Sequence, residues 1–207
     1  IECSDEDYFY NYFDLCTDYR KITEEIKKYP FMNEALIAGR GIRILRQERL
    51  ETLISFIISA NNNIKRISNI IQNICRELGE EKEFNGIRYN AFPNLPQLSY
   101  ADTKFFLNAG AGYRAAYLAK TISALNGGFD LDSVDEMDLS EARKSLMSLS
   151  GVGRKVCDCI LLFSYYRQDV FPVDTWIEKV YNDYIERGAK ISRNKMADNF
   201  ENMFGGL

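Results

Sequence analysis

The sequence predicts an all-α protein, and three observations carry that reading. Apolar residues recur at three- and four-residue spacing through most of the chain, sustained two-residue alternation is absent, and prolines and turn residues fall between the periodic stretches. With 46% hydrophobic and 27% charged residues over 207 positions, the chain can bury a core, as one compact helical unit or two closely packed lobes.

The elements follow in order. Glu6 to Arg20 and Ile22 to Lys28 read as helices, Pro30 interrupts, and Asn33 to Ala38 forms a short helix ending at Gly39. Glu48 to Ala60 is a strongly apolar helix that stops at three asparagines, with another helix from Lys65 to Leu78. Gly79 to Ser99, holding Pro93 and Pro96, reads as a loop, and Ser99 with Asp102 as a capping box for the helix after it. Ala115 to Leu125, Ser140 to Ser148, Lys155 to Tyr166, Thr175 to Ile185 and Lys195 to Phe204 complete the helices.

Composition excludes several function classes. There is no histidine, so histidine acid–base chemistry, histidine metal sites and serine-type triads are ruled out, leaving lysine and carboxylate. Five cysteines (Cys3, Cys16, Cys75, Cys157, Cys159) form no paired CxxC, which argues against a disulfide framework, a zinc site or an iron–sulfur loop. Reduced thiols predict an intracellular protein, and no apolar run is long enough to span a membrane. The net charge is −4, with acids concentrated in Glu2 to Asp18 and Phe129 to Glu141. Arg40, Arg43, Arg46, Arg49, Lys65, Arg66, Arg114, Arg154 and Lys155 predict one basic face on an acidic molecule. A monomer is the expected state.

The chemistry concentrates between Leu149 and Asp174. LSGVGRKVCDC carries Gly151, Val152 and Gly153 between two apolar-periodic stretches, which is a helix, a hairpin and a helix. Gly151 and Gly153 let backbone approach a phosphate, and the hairpin amides with the next helix's start make an anion site. Lys155 stands in that helix's first turn, between the hairpin and an apolar run. Asp174, behind Pro172, lies nineteen residues further on, a spacing that lets one helix run out and the chain return to face the amine. Singly these are an ordinary turn, a surface charge and a helix cap, and Asp174 is expected to cap the helix at Thr175 as well.

At these residues the chain resembles DNA glycosylases of the helix-hairpin-helix GPD superfamily, and within it the bifunctional 8-oxoguanine glycosylases. The superfamily pattern is met by Leu149 to Cys159 and by Pro172, Val173 and Asp174. SANNNIKRI, with Asn61, Asn62, Asn63 and Arg66, and GAGYRAAYL, with Tyr113 and Arg114, narrow the branch. The match runs from about RQERLETLISFIISANNN onward. It implies the glycosylase fold of two packed helical lobes and a base-excision-repair enzyme acting on double-stranded DNA that contains an oxidised purine.

The resemblance implies that Lys155 attacks the sugar C1′ to form a Schiff base and that Asp174 stabilises the developing positive charge. Base excision and strand cleavage by β-elimination would both follow. It assigns Asn61 to the gap left by the extruded base, Tyr113 to a wedge, and Arg66 with Arg114 to the orphaned cytosine. Asn62, Asn63 and Arg154 join the DNA-binding set, while Cys159, one turn after Lys155, and Pro172 line the base pocket. The carbonyls of Met147, Leu149 and Val152 are candidates to hold a sodium or potassium ion, as in similar proteins; no other cofactor is implied.

The departures are specific. Ile1 in place of Met and the ending FGGL predict sequence missing at both ends, where relatives carry an N-terminal sheet-bearing domain and a further helix. Trp176 stands where many relatives place a phosphate-contacting histidine. Two alternatives stay open: the same lysine chemistry on another damaged base, and a non-catalytic module that grips DNA backbone.

Overall fold

The computed structural model describes residues 5–188 and 190–205, so Cys3, Glu2 and the two chain ends lie outside the described residues. Helices α1 (Glu6–Tyr12), α2 (Tyr19–Ile26) and α3 (Asn33–Ala38) lead to α4 (Arg49–Ser59) and α5 (Ile64–Leu78). Strands β1 (Glu81–Phe84) and β2 (Ile87–Asn90) precede α6 (Leu95–Leu98), α7 (Thr103–Asn108), α8 (Ala115–Asn126) and α9 (Leu139–Met147). Helices α10 (Arg154–Ser164), α11 (Thr175–Val180) and α12 (Arg193–Phe204) follow. No helix among the described residues is long and apolar enough to cross a membrane.

Three local expectations are corrected. The helix expected over Glu6 to Arg20 is broken after Tyr12, because Asp14 adopts φ 51° and turns the chain, and Asp18 then caps α2 through the Arg20 N–H. The loop expected from Gly79 to Ser99 contains the antiparallel hairpin β1–β2, pairing Phe84 with Ile87 across Asn85 and Gly86, both at positive φ. An Asn-Gly pair at positive φ is the preferred two-residue hairpin turn. The capping box lies at Asn94 and Gln97, opening α6, while Asp102 caps α7 alone through the Phe105 N–H.

The chain divides into two compact units, Glu48–Ile160 and Ile1–Gln47 with Leu161–Leu207. In the first, α4 packs on α5 and α8. Leu53, Ile54, Ile57 and Ile58 of α4 are fully buried, as are Ile74 and Leu118. Each such side chain contributes roughly 1.5–3 kcal/mol relative to exposure, enough to make this triple-helix core a firm base for what α4 and α8 present at their ends.

The second unit closes around Val173, Tyr181, Met196, Ala197 and Phe200, with Phe171 stacked on Phe200 at 4.4 Å. Its polar centre is the buried Asp14, which accepts from Thr17 Oγ1 at 2.8 Å, Tyr19 at 2.9 Å and the Tyr166 hydroxyl, and pairs with Arg46 at 3.3 Å. Burial alone would push this carboxyl up, but donation by Tyr166, Thr17 and Tyr19 and the charge of Arg46 hold it below its ordinary value. A depressed folded-state value stabilises fully above the unfolded carboxylate range, near pH 4, and is lost as pH falls through the folded value. Melting temperature followed below pH 5 is therefore expected to drop less steeply in Asp14→Asn, which starts lower, than in the parent protein.

Candidate active site

Residues 148–153 connect α9 to α10 as a tight hairpin seated on α4 and α8. Gly151 takes φ 86°, and a Cβ there would lie 2.9 Å from Tyr117 Cβ and 3.2 Å from Ile57 Cγ2. Thr121 donates to the Ser150 carbonyl at 2.8 Å, and Val152, buried beneath, donates to the Leu149 carbonyl at 3.2 Å. Gly153 differs: a Cβ would meet no atom within 4 Å, and it lies outside the positive-φ set. Neither backbone conformation nor internal packing requires glycine at that exposed position, which leaves room for an outside partner.

The two glycines thus differ in what the fold requires of them. Gly151→Ala is expected to cost about 2–4 kcal/mol from strain and overpacking. Gly153→Ala should melt with the parent protein; thermal melts of both variants check this. The carbonyls of Met147 and Val152 accept nothing among the described contacts, whereas that of Leu149 accepts the Val152 N–H.

Lys155 is half-buried in the first turn of α10, its ammonium 5.2 Å from the centroid of the Phe56 ring. Residues 156–160 behind it are all buried, Cys159 to 4% exposure. Asp158 is the residue the sequence reading passed over. Fully buried, it accepts Arg143 Nε of α9 on one oxygen at 2.9 Å and Arg154 Nε on the other at 2.7 Å, bracketing the hairpin from both flanking helices. An aspartate four residues after an arginine, set in an apolar run, was the available signal. Burial raises its carboxyl despite both guanidinium groups. Burial and the neighbouring Asp158 also push the Cys157 thiol up to about 12, so that cysteine is an inert core residue.

The asparagine turn and the tyrosine–arginine pair come together in the same unit. Asn61 takes φ 49° after the end of α4, the left-handed position that closes helices, and its side chain is exposed. Asn62 Nδ2 caps the Ile58 carbonyl at 3.0 Å, and Asn63 caps α5 through the Arg66 N–H at 3.0 Å. Arg66 Nη2 donates to the Gly110 carbonyl at 3.0 Å. Tyr113, 57% exposed, donates to the Ala60 carbonyl at 3.2 Å.

Arg114 is only 2% exposed. Its Nε donates to Ala60 at 2.7 Å and its Nη2 to Asn61 at 2.7 Å, with the Tyr113 ring 4.4 Å from the guanidinium. Carbonyls at the negative end of α4 take the place of an acid.

Asp174 and Pro172 belong to the other unit. Asp174 caps α11, one carboxylate oxygen accepting Trp176 N–H and Ile177 N–H at 2.9 Å each. Its second oxygen accepts nothing among the described contacts. The expected basic face is narrower than its residue count. Arg46 is paired with Asp14, Arg49 with Asp132 and Asp135, and Arg154 with Asp158.

Comparison with known proteins identifies this combination. A family model described as "HhH-GPD superfamily base excision DNA repair protein" matches residues 54–204, and one described as "8-oxoguanine DNA glycosylase, N-terminal domain" matches residues 2–53. The chain is 36% identical over 190 residues to the N-glycosylase/DNA lyase OGG1 of Arabidopsis thaliana, covering 86% of this chain and 52% of that protein. It is 36% identical over 174 residues to the N-glycosylase/DNA lyase of Saccharomyces cerevisiae, covering 78% and 45% respectively, so it spans about half the length of both. The Clostridium acetobutylicum 8-oxoguanine glycosylase/lyase, solved with double-stranded DNA containing cytosine opposite 8-oxoG, superposes with a TM-score of 0.93 at 38% identity. That match covers 97% of this chain and 69% of the other.

Proposed function

Because this chain belongs to the HhH-GPD superfamily of base excision DNA repair proteins, we propose that it excises 8-oxoguanine from duplex DNA and cleaves the strand through a lysine Schiff base. The supporting observation is Lys155, an amine in the first turn after a hairpin whose Gly153 is open on its outer side. Exposed hairpin amides take a phosphate of the damaged strand, and Lys155 Nζ attacks C1′ of the extruded nucleotide. The bond to the base breaks as the new C–N bond forms, and the departing purine takes the bonding pair and a proton. Ring opening gives the imine, loss of a C2′ proton expels the 3′ phosphate, and water releases the enzyme. No redox cofactor enters this sequence.

Asp174 supplies the carboxylate for the oxocarbenium-like charge: one oxygen is fixed by the α11 cap and the other is open. Cys159 is proposed to contact the extruded base, and Asn61 and Tyr113 to fill the vacated stack. Arg66, whose Nε and Nη1 donate to nothing among the described contacts, is the better placed of the two arginines to read the orphaned cytosine. Arg114 serves it by fixing the Asn61 turn.

Borohydride trapping on duplexes carrying 8-oxoguanine opposite each of the four bases tests this reading. An adduct strongest opposite cytosine is expected. Trapping on an abasic duplex alone would keep the lyase step and refute 8-oxoguanine recognition by this chain, and no trapping at all would leave a DNA-gripping module.

A further inference from the structure

The chain's single tryptophan, Trp176, is 72% exposed in the first turn of α11. Its backbone N–H is bonded to Asp174 at 2.9 Å, so the indole stands on the same turn as the proposed catalytic carboxylate. Lys179 places its ammonium 5.9 Å from the ring centroid, and the indole N–H has no partner among the described residues. The acid between them, Glu178, is held by Arg193 at 2.7 Å, which offsets its charge at this surface. Val180 and Tyr184, 36% and 61% exposed, continue the apolar line at four-residue spacing.

An open indole face beside a lysine matches one kind of partner, a nucleotide whose base or sugar stacks on the ring while its phosphate meets the cation. A protein partner would need a broader apolar area than one indole and its neighbours. We propose that Trp176 and Lys179 form a stacking platform for an unpaired nucleotide of the bound DNA, which sets affinity for distorted over intact duplex. The platform rests on the glycosylase reading, since Asp174 ties it to the reacting nucleotide.

Fluorescence excited at the red edge of the absorption band, where the thirteen tyrosines do not absorb, reports on Trp176 alone. A duplex carrying a stable tetrahydrofuran abasic-site analogue, added to the full chain, is expected to quench or shift that emission. Trp176→Ala should bind this duplex about tenfold more weakly, equivalent to about 1.4 kcal/mol, and melt with the parent protein. Trp176→Phe should recover most of the affinity, and Lys179→Ala should lower the salt slope by about one. Binding with unchanged emission, and with Trp176→Ala as tight as the parent, would overturn the platform while leaving the glycosylase reading intact. If the parent chain failed to bind the duplex at all, both would fall.

Discussion

Lys155→Gln is expected to yield no borohydride-trapped adduct on an abasic duplex while binding that duplex nearly as tightly as the parent. Glutamine keeps much of the length and polarity of the side chain but cannot form an imine. The substitution also gives up the contact with Phe56, worth about 0.5–1 kcal/mol, too little to unfold the unit. If Lys155 only neutralised a phosphate, its removal would instead reduce the salt slope of binding by about 0.9 and weaken affinity in step. Trapping and a salt titration on the same preparation therefore separate a nucleophile from a phosphate contact. A persistent adduct in Lys155→Gln would move the nucleophile to another amine.

Asp158→Ala is expected to be the most destabilising single change near the site. It removes a fully buried carboxylate bonded to Arg143 at 2.9 Å and Arg154 at 2.7 Å, whose side chains are only 16% and 19% exposed. Breaking a buried pair by deleting one partner typically costs about 3–5 kcal/mol, because the charges left behind stay desolvated. For a chain of this size that lowers the melting temperature by roughly 6–20 °C. The damage should be local first, since the bracket joins α9 and α10 across the hairpin; hydrogen exchange of the amides at 148–156 would show it. A variant that melts within 2 °C of the parent, an estimate for a negligible effect, would remove Asp158 from the frame of the hairpin.

The sequence made most helices legible because their apolar faces repeat at helical spacing, as in α4 and α10. It misled where a polar side chain organised the backbone. Nothing in the run Glu6 to Arg20 announces that Asp14 will be buried and left-handed, since its donors Tyr166 and Arg46 lie far along the chain. The hairpin was readable from Asn85–Gly86 but was masked by a short, charged strand pattern. Gly151, Gly153, Lys155 and Asp174 were visible as a motif because the local chain fixes their spacing. The burial of Arg114 and the bracket at Asp158 were not, because both depend on which helix ends meet.

The carbonyl-bonded Arg114 bears on how the proposed DNA binding should be measured. An ion pair at that position would weaken as electrolyte was added, so the Asn61 turn would soften while phosphate contacts were being competed away. A guanidinium at 2% exposure that is held by fixed peptide dipoles is largely insulated from mobile ions. The scaffold beneath the turn should therefore hold its shape across a salt series. Any steep loss of affinity in such a series then counts displaced counterions at the nucleic acid, without a hidden contribution from the protein coming loose.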